Sequence, residues 1–320
     1  MRCLLALVAT LVAACYAPSA QPGAPCGPGG ECPAGQLCIA NVCGGTAPAD
    51  DAPVQLDDAP IDTTMITTDA PLDGPPYVPW GTPVALTSLE SPGSGETDPA
   101  VSSDKLTAVF VADTAVNDAD IYIATRNAVT DTFTYTLLTA LNTATFNDES
   151  PEISGDGNTI YFTSNRSGSD EVYKSTFTTV WSAPILAVDL SSASNDGDIA
   201  ISPDGLTAVV QRAGSTNRFY IYTRGAVTDL FANGTIHTEL NVTGDIAAPT
   251  ITNNGAIMYL HAGGSRDLYV ATRMGNGTYT TPVAVTELNM AAIRDAAPFV
   301  LQTDDYMIFE RAGDIYETTR

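Results

Sequence analysis

A unit of about fifty residues, repeated five times between residues 98 and 320, constrains this chain more than any other feature. Its turn reads Ile153-Ser154-Gly155-Asp156-Gly157, then Ile201-Ser202-Pro203-Asp204-Gly205, then Ile251-Thr252-Asn253-Asn254-Gly255. A looser first copy is Val101-Ser102-Ser103-Asp104-Lys105, and a degraded last copy is Val300-Leu301-Gln302-Thr303-Asp304. Positions equivalent to Asp156 recur at intervals of 48 to 52 residues. Runs such as Thr-Ile-Tyr-Phe-Thr-Ser at 159–164 are rich in β-branched and aromatic residues, which suit a half-buried pleated surface. Turn residues separate these runs, and no segment keeps a helical period. Four short strands per copy at this period predict the blades of a β-propeller, an all-β fold.

The last copy reaches Arg320 directly after its third strand. Far upstream, Trp80-Gly81-Thr82-Pro83-Val84 has the composition of a fourth strand, as in Trp181-Ser182-Ala183-Pro184-Ile185 and Tyr279-Thr280-Thr281-Pro282-Val283. It precedes Glu96 by sixteen residues, the spacing from Tyr279 to Asp295. The expectation is a five-bladed propeller over residues 77–320, closed by this N-terminal strand. Closure hides sheet edges that would otherwise pair with other chains.

The repeats resemble a known type. The Pro-x-Ile-Ser-x-Asp-Gly turn, the hairpins Arg166-Ser167-Gly168, Arg212-Ala213-Gly214 and Arg311-Ala312-Gly313, and strands such as Asp120-Ile121-Tyr122 and Asp314-Ile315-Tyr316 are similar to the WD40-like (PD40) repeats of TolB-type propellers. The resemblance covers residues 80–320 and implies the fold. TolB-type proteins join a six-bladed propeller to an α/β domain that contacts envelope partners. Residues for neither that domain nor a sixth blade are seen here, so those partners do not carry over.

The front of the chain reads as a series of short segments. Residues 1–14 have a basic start and a brief apolar run, too short to span a bilayer, which predicts a secretory signal. Val12-Ala13-Ala14-Cys15 resembles the lipobox of bacterial lipoproteins, implying lipidation of Cys15 and an outer-membrane anchor. Residues 15–44 hold Cys26, Cys32, Cys38 and Cys43. An even count in an exported, Gly- and Pro-rich stretch predicts two disulfides of open connectivity. Zinc would need paired knuckles or histidine partners, and no metal or other cofactor is expected. Residues 45–76 repeat Asp-Ala-Pro at 51–53, 58–60 and 69–71 without a basic residue, the composition of a disordered, extended acidic linker.

Charge narrows the partners. The chain carries 37 acidic and 13 basic residues, net −24. No patch is available to neutralise phosphates, so nucleic acid is not expected, and contact with the membrane is expected through the anchor alone.

One constellation could carry chemistry. Glu96, Asp148, Asp196, Asp245 and Asp295 lie just before each innermost strand, where fivefold symmetry would ring them around one mouth of the central channel. Crowded carboxylates raise one another's pKa, and glycoside hydrolysis uses a carboxylate pair. An acid repeated in every blade has a structural reading as well, since a short carboxylate can satisfy backbone N–H groups at a tight turn. Catalysis calls for a break in the symmetry; Glu149, Asp198 and Arg294 are the candidates. The Trp80, Trp181 and Tyr279 set reads as packing between blades, and Arg126, Arg224, Arg273 and Arg320 as partners of acids on the rim. Tyr122, Tyr173, Tyr220, Tyr269 and Tyr316 read as a core layer. No Ser-His-Asp set, phosphate loop or dinucleotide fingerprint is present. The sequence therefore points to a monomeric, lipid-anchored, non-catalytic propeller of the cell envelope that binds a protein or polysaccharide. The alternative is a propeller glycoside hydrolase using the channel-mouth carboxylates.

Overall fold

The structure is a computed structural model that describes residues 37–39, 42–44, 78–91, 95–113, 119–241, 244–252 and 255–320. The chain divides into two compact units, residues 1–66 and 67–320. In the first, β1 (Leu37–Ile39) and β2 (Val42–Gly44) form an antiparallel hairpin whose register sets Cys38 opposite Cys43. The expectations for the signal, Cys15, Cys26, Cys32 and the acidic linker fall outside the described residues.

The second unit is a five-bladed propeller. Its first blade is β4 (Glu96–Val101), β5 (Thr107–Asp113), β6 (Ala119–Thr125) and β7 (Thr134–Leu137). The second is β8 (Asp148–Ile153), β9 (Thr159–Ser164), β10 (Glu171–Thr176) and β11 (Ile185–Leu186). The third is β12 (Asp196–Ile201), β13 (Thr207–Arg212), β14 (Arg218–Thr223) and β15 (Ala232–Ile236). The fourth is β16 (Ile246–Thr252), β17 (Ile257–Ala262), β18 (Asp267–Thr272) and β19 (Val283–Ala284). The fifth combines β20 (Asp295–Val300), β21 (Tyr306–Arg311) and β22 (Asp314–Thr319) with β3 (Val84–Ala85) from the front of the unit. Each innermost strand packs on that of the next blade, and β20 returns to β4 to close the ring.

The closing strand is held by more than its two ladder pairs, Tyr316 with Ala85 and Glu317 with Val84. Gly81 donates its N–H to the Thr319 carbonyl at 2.8 Å and accepts the Thr318 hydroxyl at 2.8 Å. Trp80 is buried, edge-on to Tyr259 at 6.1 Å and capped by the Arg320 guanidinium at 4.4 Å. Its backbone N–H reaches Glu287 in the fourth blade.

The turn signature works as a small hydrogen-bonded device. Ser202 donates its hydroxyl to Asp204, whose other contact is the Leu206 N–H at 2.9 Å. The following residue takes the left-handed conformation, at Gly205 (φ 70°) and equally at Lys105 (φ 62°) and Asp304 (φ 56°). Glycine suits that position without being required there.

The core fills the spaces between sheets rather than one central mass. A leucine preceding each innermost strand is fully buried: Leu89, Leu141, Leu190, Leu240 and Leu288 are at most 1% exposed. The tyrosine layer is shallower than expected. Only Tyr173 is buried; Tyr122, Tyr220, Tyr269 and Tyr316 are half-buried, because the third strand stands away from the axis. Tyr122, Tyr173 and Tyr316 lie over second-strand aromatics, Tyr122 over Phe110 at 5.6 Å, while Tyr220 and Tyr269 stand opposite Val210 and Leu260.

Candidate functional site

The repeated acids do not line the channel. Glu96, Asp148, Asp196 and Asp295 are at most 1% exposed, and each turns back to hold the loop that leads into its own strand. Asp148 accepts from the Thr143 N–H at 2.7 Å, Asp295 from the Met290 N–H at 2.8 Å, and Glu96 from the Ser91 N–H at 2.7 Å. In three blades the arginine of the Arg-x-Gly hairpin completes the arrangement: Arg166 with Asp148, Arg212 with Asp196 at 2.6 Å, and Arg311 with Asp295 at 2.5 Å. Each arginine also donates to a carbonyl of the leucine loop, at Leu141, Leu190 and Leu288. Asp245 is exposed, and Ile246 occupies the equivalent buried place, opposite Ala262. The expected ring of Glu96, Asp148, Asp196, Asp245 and Asp295 is thus a set of loop anchors in four blades and a surface acid in the other.

The residues that reach the axis stand two places further on. Every innermost strand carries a bulge at this point. In four blades the bulged residue is left-handed and followed by proline: Asp98 (φ 49°), Ser150 (φ 50°), Ala248 (φ 44°) and Ala297 (φ 45°). The third blade has Asp198 followed by Ile199 and keeps an ordinary φ. Bulges re-aim side chains, and here they set Asp98, Ser150, Asp198, Ala248 and Ala297 around an axial cavity of about 30 Å³. Non-glycine residues held left-handed cost about 1–3 kcal/mol each, an expense seen where the surroundings over-determine the geometry.

This tier is asymmetric. Asp198 accepts the Ser150 hydroxyl at 2.7 Å and the Ala248 N–H at 2.6 Å, so it ties three blades together. Asp98 faces it, and its carboxyl is pushed up to about 8 by burial, then by the charges of Asp198, Glu310 and Glu149. A second layer comes from the adjacent strands: Gln211, His261 and Glu310 share one position of β13, β17 and β21. Gln211 accepts the Asp198 N–H at 3.2 Å. His261 accepts the Ala297 N–H at Nδ1, which leaves its proton on Nε2, and burial pushes its pKa down to about 4. Glu310 is buried against Arg294 at 2.7 Å, yet burial outweighs that partner and pushes its carboxyl up to about 7. Glu149, Asp198 and Arg294, the three symmetry-breaking residues, therefore converge with Asp98, His261 and Glu310. The bulged positions share no side-chain chemistry, since only two of the five are acidic, and the one signal that marks them is the proline that follows in four blades.

A pH dependence follows from these groups and from Glu152, whose burial beneath the tier pushes it up to about 8. Asp98, Glu152 and Glu310 have folded pKa values above their unfolded ones, so the native state binds more protons between about pH 4 and 8. Stability falls as pH rises through that window. His261 acts oppositely, losing stability as pH falls from about 6.5 towards 4. Three carboxyls outweigh one imidazole, so the melting temperature should be higher at pH 6.5 than at pH 9. A flat profile by calorimetry would show that these carboxyls are ionised without cost.

The other side chains singled out from sequence have structural partners. Trp80 and Tyr279 are buried and Trp181 is half-buried; Phe133 and Phe231 complete the set of five. Two of the third-strand arginines sit on these rings rather than pairing with rim acids, Arg126 on Phe133 at 4.2 Å and Arg224 on Phe231 at 4.1 Å, and Arg273 donates to the Gly277 carbonyl at 3.4 Å. Arg320 does both, pairing with Asp304 as well. No group of three or more His, Cys, Asp or Glu is placed to hold a metal among the described residues.

No protein-family model and no curated protein sequence matches this chain. Solved structures do. The catalytic domain of an alpha-L-arabinofuranosidase from Coprinopsis cinerea matches with a TM-score of 0.50 at 11% identity, over 75% of this chain and 96% of that one. A thermostable family-43 glycoside hydrolase matches at 0.49 and 12% identity, over 72% and 90%. TolB from Acinetobacter baumannii matches at 0.44 and 17% identity, over 71% of this chain and 55% of that one, so the chain spans about half of that protein's length. At these identities the likeness concerns the fold, and the fold it shares is the β-propeller.

Proposed function

We propose that this chain is an exported, lipid-anchored binding protein whose propeller holds an envelope protein or polysaccharide at its axial mouth without turning it over. The observation that supports this most directly is the size of the axial cavity. About 30 Å³ takes a water or a small protruding group, not a sugar ring seated between two carboxyls. The tier offers such a group both hydrogen-bonding senses. Burial and the neighbouring charges favour the protonated form of Asp98, which can donate, while Asp198 accepts on both oxygens. Export and anchoring rest on residues 1–15 and on the switch to Pro, Ala and Gln residues after Cys15, with the even set of cysteines that follows consistent with export. The test is a cross-linked pull-down from intact cells with the full chain and its Asp98→Asn, Asp198→Asn double variant. A partner recovered by the native chain and reduced about tenfold by the variant supports the reading; equal recovery by both moves binding away from the mouth.

A second reading rests on one observation, the splitting of two facing carboxyls into a protonated and an accepting member, which is the arrangement general acid–base chemistry uses. It predicts that Asp98→Asn alone abolishes product release from a recovered polysaccharide. Retained binding with no product from the native chain sinks it.

A further inference from the structure

The propeller has a second cavity, larger than the axial one and unrelated to it. It lies between the second and third blades, has a volume of about 450 Å³, and falls within the roughly 300–1,000 Å³ typical of small-molecule sites. Comparing it with the other blades shows how it arises. Between the fourth and fifth blades the same space is closed: Tyr259 donates its hydroxyl to Asp304 at 3.0 Å, takes Arg320 at 3.1 Å, and packs against Trp80. In the third blade Gly205 stands where Asp304 does, and Phe231 stands where Trp80 does. Both replacements are smaller, and the gap between blades stays open.

The wall on the second blade differs in chemistry as well. Its cavity-facing positions on β9 and β10 are Thr159, Tyr161, Lys174 and Thr176. The matching residues of the first blade are Thr107, Val109, Ile123 and Thr125, and of the third Thr207, Val209, Ile221 and Thr223. Only here do all four carry a hydrogen-bonding group with a cation among them. Lys174 and Tyr161 are direct cross-strand neighbours. The Arg224 guanidinium stands near Tyr161 across the gap, its charge favouring the ionised phenol, whereas among the described residues no hydrogen bond or ion pair engages the Lys174 ammonium. Lys174 is one of only two lysines in a chain of net charge −24.

We infer that this cavity is a binding site for one unit of a neutral saccharide. The charges of its lining balance, with Lys174 and Arg224 against Asp156 and Asp204. A free carboxylate or phosphate would gain little from a balanced site, and a cation would meet Lys174. Sugar hydroxyls need donors and acceptors side by side, and the lining supplies both. Lys174 and the threonines donate, and Asp156 and Asp204 have oxygens beyond the one that each commits to its own turn. Ile201 and Val227 give an apolar wall for the C–H face of a ring. The inference stands apart from the axial reading, since no residue is shared.

The test is saturation-transfer NMR on the folded full chain, offering cellobiose, maltose, lactose and mannobiose at millimolar concentration, with glucuronate as the charged comparison. Two variants borrow solutions the protein already uses. Lys174→Ile installs the residue of the first and third blades, and Gly205→Asp installs the plug of the fifth. The expected result is transfer to at least one neutral disaccharide, weakened about tenfold or more by each variant. Transfer to glucuronate alone overturns the neutral-saccharide assignment. Absence of transfer to every probe, or undiminished transfer in both variants, overturns the site.

Discussion

Trp80→Ala should destabilise the propeller by about 3–5 kcal/mol, and removing residues 77–90 should abolish its single cooperative unfolding transition. The first figure is that of a large aromatic truncated in a packed interior. Trp80 loses its contact with Tyr259 and its cover by Arg320 together, so the cavity has no neighbour free to collapse into it. The deletion does more. It strips β22 of its ladder partner, exposes the Thr319 and Ile315 carbonyls that now accept from Gly81 and Leu86, and removes Leu89 from the interface with the first blade. The six-residue β22 becomes the blade's outer edge in place of the two-residue β3, a longer edge open to pairing. Urea titration followed by tryptophan fluorescence and by circular dichroism should give coincident curves for the native chain and separated ones for the deletion. Coincident curves at an unchanged midpoint would mean that the fifth blade is stable with three strands.

The buried acid–arginine pairs give the second large effect. Arg212→Ala should cost about 3–5 kcal/mol, because it leaves the Asp196 carboxylate buried without its charge partner. Asp196→Ile combined with Arg212→Ala should recover most of that loss. The fourth blade already carries this combination, with Ile246 buried opposite Ala262 in the register where Asp196 faces Arg212. Chemical denaturation of the single and double variants gives the coupling directly. A double variant no more stable than Arg212→Ala would show that the aspartate is needed for its bonds to Ser192, with the arginine secondary.

These pairs also show how far the sequence could be read. The fivefold period, the four-strand unit and the strand borrowed from Trp80–Val84 were legible because each follows from local composition repeated at a fixed distance. The acids at the strand starts were equally visible, yet visibility is what misled: a residue present in nearly every blade serves what every blade needs, here a loop anchor. The correlation was in the sequence all along. Blades with Arg166, Arg212 or Arg311 carry aspartate at the strand start, while the blades lacking that arginine carry Glu96 or Ile246. The axial tier was hidden for the opposite reason. Asp98, Ser150, Asp198, Ala248 and Ala297 have no common chemistry, and only the bulges turn them to one point. The recurring leucines, from Leu89 to Leu288, were a further signal that repetition alone could have revealed.

The borrowed strand also orders events in time. Val78 and Arg320 are hydrogen-bonded although 242 positions separate them. During synthesis the segment around Trp80 emerges before any blade, and it must wait, unpaired, until the last strand of the ring has been made. Contacts so distant along a chain form slowly, since their loop entropy is spent before they repay it. Blades one to four can pair internally as they appear; the fifth cannot. The nascent propeller therefore carries an apolar tryptophan and an unpaired segment until β22 has been made, and its passage to the native state is gated by the arrival of that strand. Anything that engages the segment around Trp80 in that interval holds the propeller unfinished.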